Sequence, residues 1–300
     1  MYYYSFHEAM KRRFGCKVYK IALDGGFTCP TRDGSKGTRG CIFCSAKGSG
    51  DFSEPVSQME QAKRRVSDKL KDGKYVAYFQ NFTNTYAPVP RLQEVFLPVL
   101  ELPDIVALDI ATRPDCLEPE KVSFLQEMNQ IRPVWVELGL QTINEKTADY
   151  IRRGFDLSVF DDAVGRLKAA GLEVIVHMII GLPGETQEDI YNTASYISNS
   201  GADGIKLQLL HVLKDTDLYL DYAAGKFQTL TLPEYIRLLE GCIERLRPNI
   251  VIHRMTGDGP KKNLAAPLWS ADKKKVLNAI HAAFTRDQLV QGSKLTRTGK

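Results

Sequence analysis

Strand and helix signals alternate along nearly the whole chain of 300 residues and predict an α/β fold, a parallel barrel or partial barrel. Two observations carry that reading. The strand-like runs are continuously apolar, as in strands buried on both faces. The polar and glycine-rich stretches fall after the carboxyl ends of those strands, where βα loops converge in a parallel barrel. A third observation concerns organisation. No Pro- or Ser-rich linker divides the chain and no short-period repeat is visible, so six or seven strand–helix units are expected in one main domain.

Lys17–Asp24 (Lys-Val-Tyr-Lys-Ile-Ala-Leu-Asp) reads as the first strand and runs into a loop carrying Cys29, Cys41 and Cys44. Ser57–Lys71 sets Met59, Ala62, Val66 and Leu70 at helical spacing beneath a charged outer face. Tyr75–Gln80 is a short β-rich run, Arg91–Leu100 a helix and Ile105–Ala111 the next strand. A helix over Glu118–Gln130, a strand over Val134–Leu140 and a helix over Ser158–Ala170 follow, the last stopped by Gly171. Glu173–Ile180 is a strand, Glu185–Asn199 a helix ending before Gly201, and Gly204–Leu210 the sixth strand. Pro233 opens a helix to Leu246, Asn249–Met255 is a seventh strand, and Ala271–Phe284 a terminal helix. Residues 17–248 are expected to form the barrel, after an N-terminal segment, 1–16, and before a basic extension, 249–300, packed on it.

Composition narrows the function classes. The apolar and charged fractions, 43% and 25%, are ordinary for a globular chain and exclude disordered and fibrous classes. No apolar run approaches the ~20 residues of a membrane span. The start, Met-Tyr-Tyr-Tyr-Ser-Phe-His-Glu-Ala-Met-Lys-Arg-Arg, lacks the order of a signal peptide, so a cytoplasmic protein is expected. Six cysteines, at 16, 29, 41, 44, 116 and 242, are too few and scattered for a disulfide scaffold; clustered ones in a reducing compartment point to metal. Cys116 and Cys242 read as small buried apolar residues. From Lys261 onward nine Lys or Arg face two Asp, a local +7 in a chain of net +4. Such a tail suits a polyanion such as RNA, or is simply a solvated end.

Six polar stretches share one rim of the expected barrel: the cysteine loop, Gln80–Thr85, Ala111–Asp115, Gly139–Thr142, Gly181–Glu185 and His211. Any one alone is a turn; together they argue for a site. Structural zinc takes four ligands, usually as two close pairs, whereas this loop offers the pair Cys41 and Cys44 plus Cys29, with Cys16 or a histidine as possible fourth. A cubane iron–sulfur cluster held by three cysteines leaves one iron open for chemistry.

At these residues the chain resembles the radical S-adenosylmethionine (radical SAM) superfamily, in which three cysteines after the first strand hold a [4Fe-4S] cluster. The common spacing there is C-x3-C-x2-C. Here it is C-x11-C-x2-C, similar to the catalytic subunit of Elongator and to a bacterial group of stand-alone enzymes of about this length. Glu137-Leu138-Gly139-Leu140-Gln141-Thr142 and Ile151-Arg152-Arg153-Gly154 resemble the Elongator-type E-L-G-x-Q-S and R-G-H stretches, with Phe155 in place of the histidine. His177–Thr186 resembles the superfamily's fifth-strand motif, and Thr216-Asp217-Leu218-Tyr219 with Gly225-Lys226 the segment after strand six. The likeness runs from about Asp24 to Gln228.

The resemblance implies a partial (β/α)6-type parallel barrel and a set of roles. Cys29, Cys41 and Cys44 would bind three irons of a single [4Fe-4S] cluster, and the methionine part of S-adenosylmethionine the fourth. Reductive cleavage would yield methionine and a 5′-deoxyadenosyl radical, the hard chemistry belonging to the cofactor. Gln80, Thr83 and the carbonyls around Asn81 are candidates for the methionine amino group, or an ordinary turn. Glu137 and Gln141 are candidates for the ribose, and Arg153, or Arg152 beside it, for the methionine carboxylate. Gly181, Pro183 and Gly184 would let backbone approach adenine, or merely turn the chain. Arg113 and Asp115 orient the site or pair with each other. His177 is a ligand or a satisfied core histidine. His211 is placed for substrate, and an inward Lys206 would be a catalytic candidate.

The Elongator likeness suggests a tRNA wobble uridine as substrate. With no room for an acetyltransferase domain after the barrel, a change to an existing C5 side chain is expected, such as carboxymethylaminomethyl to aminomethyl. Lys261, Lys262, Lys273, Lys274, Lys275, Arg286, Lys294, Arg297 and Lys300 would meet RNA phosphates, and flavodoxin or ferredoxin would supply electrons. Two other readings compete: a radical enzyme acting on a small metabolite, and a non-enzymatic RNA-binding protein stabilised by zinc with Cys16 as fourth ligand.

Overall fold

In the computed structural model, which describes residues 2–48, 53–67, 74–257, 259 and 261–295, the apolar runs assemble into a parallel sheet. Its strands are β1 (Val18–Asp24), β2 (Glu54–Pro55), β3 (Lys74–Phe79), β4 (Ile105–Thr112), β5 (Val134–Gln141), β6 (Glu173–Ile180) and β7 (Gly204–Leu209). Then come β8 (Val212–Leu213), β9 (Val251–Arg254) and β10 (Leu264–Ala266). The main sheet runs β2-β1-β3-β4-β5-β6-β7-β9, every pair parallel, and β8 pairs with β10 antiparallel beside it. The sheet is curled into an open barrel. Lys20 on β1 reaches His253 on β9, Nζ to Nδ1 3.1 Å, which a flat sheet of this order forbids.

The helices are α1 (Phe6–Phe14), α2 (Met59–Ser67), α3 (Val89–Leu100), α4 (Pro119–Ile131), α5 (Glu145–Tyr150), α6 (Leu157–Ala169), α7 (Gln187–Asn199), α8 (Asp217–Ala223), α9 (Leu232–Ile243) and α10 (Lys273–Arg286). Outward strand residues such as Phe79, Leu108 and Val136 pack with Phe96, Phe160 and Tyr235 of the helices into one core. Burying each such side chain stabilises by about 1.5–3 kcal/mol. Inward positions instead carry Lys20, Asp109, Glu137, His177 and Lys206, so the barrel interior is polar.

Three helices, α1, α5 and α8, and the short strands β2, β8 and β10 lie outside the sequence expectation. Helix α1 starts at Ser5, whose Oγ accepts from Glu8 N at 3.3 Å, and ends at left-handed Gly15. It packs Ala9 and Met10 against Val18, Trp135 and Ile175 and so closes the amino-end mouth of the barrel. Short α5 and α8 brace the cysteine loop from the other end. Part of the region expected as an extension belongs to the sheet, since β9 pairs with β7 and Ile252 N bonds Tyr4 O at 2.8 Å. Leu70, Arg297 and Lys300 lie outside the described residues.

Candidate active site

The long gap between Cys29 and Cys41 closes on itself. Arg32 N donates to Cys29 O at 2.9 Å, Lys36 N to Pro30 O at 2.7 Å and Gly40 N to Thr31 O at 2.8 Å, returning the chain to its start. Arg32 Nη2 then clips the loop to the second turn, donating to Cys44 O at 3.1 Å and Ser45 O at 2.7 Å. Gly40 makes this fit, for its φ is +69° and a Cβ there would lie 2.8 Å from Arg32 Nε. Outside, Lys36 pairs with Asp115 at 2.5 Å, and Arg39 and Arg152 both pair with Asp217 at 2.6 and 2.5 Å. Ile42 N bonds Ile151 O and Leu218 N bonds Ile42 O, tying the Cys41–Cys44 turn to α5 and α8.

The three cysteines line one cavity at the carboxyl ends of the strands, with Gln80, Thr83, Arg113, Glu137, Gln141 and His211 among its walls. Cys29 Sγ lies 3.0 Å from Thr31 Oγ1 and takes a hydrogen bond from Thr83 Oγ1 at 3.3 Å. Burial first, then Cys44, push the Cys41 thiol up to about 12, while Arg113 and Arg32 pull it down. Thiols lining one cavity with cations beside them are a donor set that a metal charge would ionise.

Below the cavity the inward charges form one network. Glu137, with no exposed surface, meets Lys20 at 3.0 Å, His177 at 2.7 Å and Lys206 at 2.5 Å. Lys20 also pairs with Asp109, and Lys206 Nζ donates to Tyr78 OH at 2.9 Å. Burial pushes Asp109 up to about 7 with Glu137 adding to it, whereas Lys20, Lys206 and His177 overcome burial and hold Glu137 well below the usual carboxylate range. Burial lowers Lys206 to about 7, aided by Lys20 and Arg254 against the pull of Glu137.

Among known proteins, the Radical SAM superfamily profile matches residues 34–197, and the Radical_SAM C-terminal domain profile matches 202–286. The chain belongs to the radical SAM superfamily. It is similar to YtqA of Bacillus subtilis, 43% identical across 97% of this chain and 92% of that protein. It is also 30% identical to the tRNA uridine(34) acetyltransferase of Methanocaldococcus jannaschii, over 45% of this chain and 25% of that protein. The structure of Methanocaldococcus infernus Elp3 with an N-terminal deletion shares the fold, with a TM-score of 0.71 at 17% identity over 91% of this chain. This chain spans 64% of the length of that structure.

Radical SAM enzymes use a [4Fe-4S] cluster and S-adenosylmethionine, and the cavity fits both. Cys29, Cys41 and Cys44 would hold the cluster. Among the described residues, only Asp109, Glu137 and His253 bring three potential ligand atoms within 4.8 Å of one another, and the Lys20 ammonium bridges them. The cysteine sulfurs are therefore spread wider than a shared tetrahedral zinc allows, about 4 Å apart at a Zn–S distance of about 2.3 Å. Cys16 lies before the opposite end of seven-residue β1, about 20 Å away, and is no fourth ligand. That removes the geometric basis of the zinc reading. For S-adenosylmethionine, Gln141 supplies the fit. Its Oε1 is buried without a hydrogen-bond partner in the cavity wall, an acceptor waiting for a ribose hydroxyl or an amine. Its φ of +71° is a left-handed strain at the end of β5.

Other expected residues stand differently. Asn81 turns away from the cavity and donates to Asp24 at 2.9 Å, while its carbonyl accepts from Asn84 and that of Thr83 from Tyr86, so these groups hold their own turn. Gln80 does face the cavity. Arg153 lines the wall, but its guanidinium donates to Phe155 O, Thr142 O and the Glu145 carboxylate at 2.8–3.1 Å and so clamps the turn after α5 instead of offering a fork to methionine. Phe155 sits under Arg113 and Arg153, 5.2 and 4.8 Å from its ring. Gly181 and Pro183 are not in the wall, where Ile179 stands. Arg113 and Asp115 do pair, bidentately at 2.9 Å. His177 is bonded to Glu137, and Lys206 points inward yet lies behind Tyr78 and Glu137, outside the cavity wall. His211 is in the wall and packs against Gly257 and Gly259, where a Cβ would come within 2.8 Å of its ring. Lys261, Lys262 and the first turn of α10, Lys273–Lys275, are exposed. Sequence reasoning passed over Tyr78, Arg254 and the partners Lys20 and Asp109. Two of them carried a signal, Lys20 and Asp109, each a charge among apolar neighbours inside a strand.

Proposed function

We propose that this radical SAM enzyme remodels the C5 side chain of a tRNA wobble uridine, for example carboxymethylaminomethyl to aminomethyl. The observation that carries the reading is the likeness of nearly half the chain to a tRNA uridine(34) acetyltransferase. The exposed lysines support it: Lys261, near enough to act on the Asp272 carboxyl together with Lys275, joins Lys262 and Lys273–Lys275 in a basic face suited to RNA phosphates. When bound, the cluster and S-adenosylmethionine supply a 5′-deoxyadenosyl radical for hydrogen abstraction. The chain's own residues position and shield. Gln141 and Gln80 orient the methionine and ribose groups, Thr83 and Thr31 bond the Cys29 sulfur, and His211 meets the substrate at the cavity mouth. A low-potential carrier such as flavodoxin or ferredoxin supplies the electron.

Comparing the modified nucleosides of tRNA from cells with and without the gene tests this directly. A wobble-uridine derivative should accumulate as an unremodelled precursor. An unchanged set of wobble uridines sinks the tRNA reading and leaves radical chemistry on another substrate.

A further inference from the structure

Gln208 follows Lys206 by two positions on β7 and so shares its inward face, one step nearer the carboxyl end. It is half-buried and lines the cysteine cavity on the same side as His211. Its Nε2 lies 3.3 Å from His177 Nδ1, and His177 Nε2 lies 2.7 Å from Glu137 Oε2. Side chains from β7, β6 and β5 thus form one hydrogen-bonded row, Gln208–His177–Glu137, and all of them line the cavity.

Charge fixes the direction of each hydrogen bond in the row. Burial favours a protonated Glu137, but Lys20, Lys206 and His177 outweigh it and keep the carboxylate ionised, so it can only accept. His177 Nε2 must therefore carry a hydrogen. Burial first, with Lys206 and Arg254 adding to it, holds the imidazole below its ordinary value against the pull of Glu137, so the ring is neutral at pH 7 and has no second hydrogen. Nδ1 is left as an acceptor, and only the amide nitrogen of Gln208 can serve it. The reverse orientation of the amide would set two acceptors face to face. The charge on Glu137, two side chains away, thereby decides which way round the Gln208 amide stands. Among the described residues that amide has no other hydrogen-bond partner, which leaves its carbonyl oxygen and its second hydrogen for something in the cavity.

We propose that Gln208 is a specificity-determining residue, locked in one orientation by Glu137 through His177, and that it reads a substrate edge on which an N–H donor stands beside a carbonyl, as in a cyclic imide. Oε1 accepts from the substrate N–H, and the second amide hydrogen donates to the neighbouring carbonyl oxygen. Uracil carries such an edge, its imide N–H flanked by two ring carbonyls, and unpaired bases are read on that edge. A free amide can turn to suit either pattern of donor and acceptor, whereas a locked one rejects a substrate that lacks the N–H by being left unpaired. His177 and Glu137 are positioning residues. This role deepens the uridine reading, and rests on it only for the choice of uracil as the imide.

Heteronuclear NMR of the full chain labelled at its histidine nitrogens reads the row directly. His177, assigned by the signals lost in His177→Asn, should show a protonated Nε2 and an unprotonated Nδ1 at pH 7; a proton on Nδ1 overturns the proposal. Titration with uridine should move the His177 signals, and 3-methyluridine, the same base without the imide N–H, should not. A matching response to glutarimide identifies any cyclic imide as sufficient, and a response to uridine alone adds the rest of the base. Equal responses to uridine and 3-methyluridine, or none to any imide, overturn the proposal. Both readouts use the unaltered chain. Gln208→Glu sets a second acceptor against Nδ1 and should turn His177 into the doubly protonated ring at the same pH; an unchanged ring shows that Gln208 does not face it. With the cluster reconstituted, Gln208→Leu should leave S-adenosylmethionine affinity unchanged, whereas a loss of about tenfold, the worth of one hydrogen bond, would place Gln208 on the cofactor and overturn the assignment. Unchanged wobble uridines in cells, alongside a uridine-selective response, would remove the tRNA reading and leave this one standing. Altered wobble uridines without that response would do the reverse.

Discussion

Glu137→Leu is the sharpest test of the buried network. The carboxylate contacts Lys20 at 3.0 Å and Lys206 at 2.5 Å, has His177 at 2.7 Å, and exposes no surface. Removing it leaves the Lys20 ammonium to Asp109 and takes from Lys206, already lowered to about 7 by burial, the carboxylate that holds its proton. Breaking a buried ion pair from one side costs about 3–5 kcal/mol. The lower half of that range applies here, because Lys20 keeps Asp109 and Lys206, already lowered to about 7, can shed its proton. Urea unfolding of the full chain at pH 7, followed by circular dichroism, should show the midpoint fall by about 1–2 M. Adding Lys206→Met removes a charge together with its counter-charge, and apolar replacement of a buried pair is often neutral or better. The double variant should therefore recover at least half of the loss. A single-variant cost below about 1 kcal/mol, or a double variant less stable than the single, would refute the claim that Glu137 compensates Lys206.

Three further outcomes follow from the site. Cys41→Ala should fail to retain iron after anaerobic reconstitution and desalting, while Cys16→Ala retains it; iron held equally by both would remove the three-cysteine assignment. Gln141→Leu should weaken S-adenosylmethionine binding about tenfold, the worth of one hydrogen bond at about 1–1.5 kcal/mol, with iron content unchanged; equal affinity by calorimetry would end that role. Lys206 titrates at about 7 in the folded chain against an ordinary 10.5, so the unfolded chain holds the extra proton between those values. Its contribution to stability must rise with pH across that window, and Lys206→Met should flatten the slope of unfolding free energy there; an unchanged slope would show that Lys206 is not the group titrating.

Much of this architecture was legible in the residues. The strand runs and the helices between them were readable because a parallel strand buried on both faces has no polar face to confuse the pattern. Helix α1 was missed although Ser5, Glu8 and Gly15 mark its ends, because Phe6, Ala9 and Met10 give a thin apolar stripe. Chemistry alone marked the cysteines as a metal site with zinc and iron–sulfur both open, and the structure sets all three in one cavity wall. Gln141 was singled out by its motif, and it lines the same wall. The part Arg153 plays was not legible, because a guanidinium that clamps carbonyls and one that binds a ligand look alike until its partners are known. Lys20, Asp109 and Lys206 show the same limit in another form. Each is an odd charge in an apolar strand, and only the curl of the sheet, which no local pattern encodes, makes them one network.

The eleven-residue gap between Cys29 and Cys41 has an energetic explanation. Lengthening a loop from three residues to eleven adds only about 1 kcal/mol of closure entropy. Against that, Arg32 alone makes two charge-assisted bonds to the carbonyls of Cys44 and Ser45, and hydrogen bonds to charged groups contribute about 1.5–3 kcal/mol each. The loop is thus held more firmly than its length suggests. Its outer anchors, Asp115, Ile151 and Asp217, come from segments at the same rim of the barrel. Those segments brace the cysteine turn as well as wall the cavity, so a long first gap and these rim motifs belong to one mechanical unit. Shortening the loop toward the common spacing, with Arg32, Lys36 and Arg39 deleted, would therefore loosen α5 and α8 along with the cysteines.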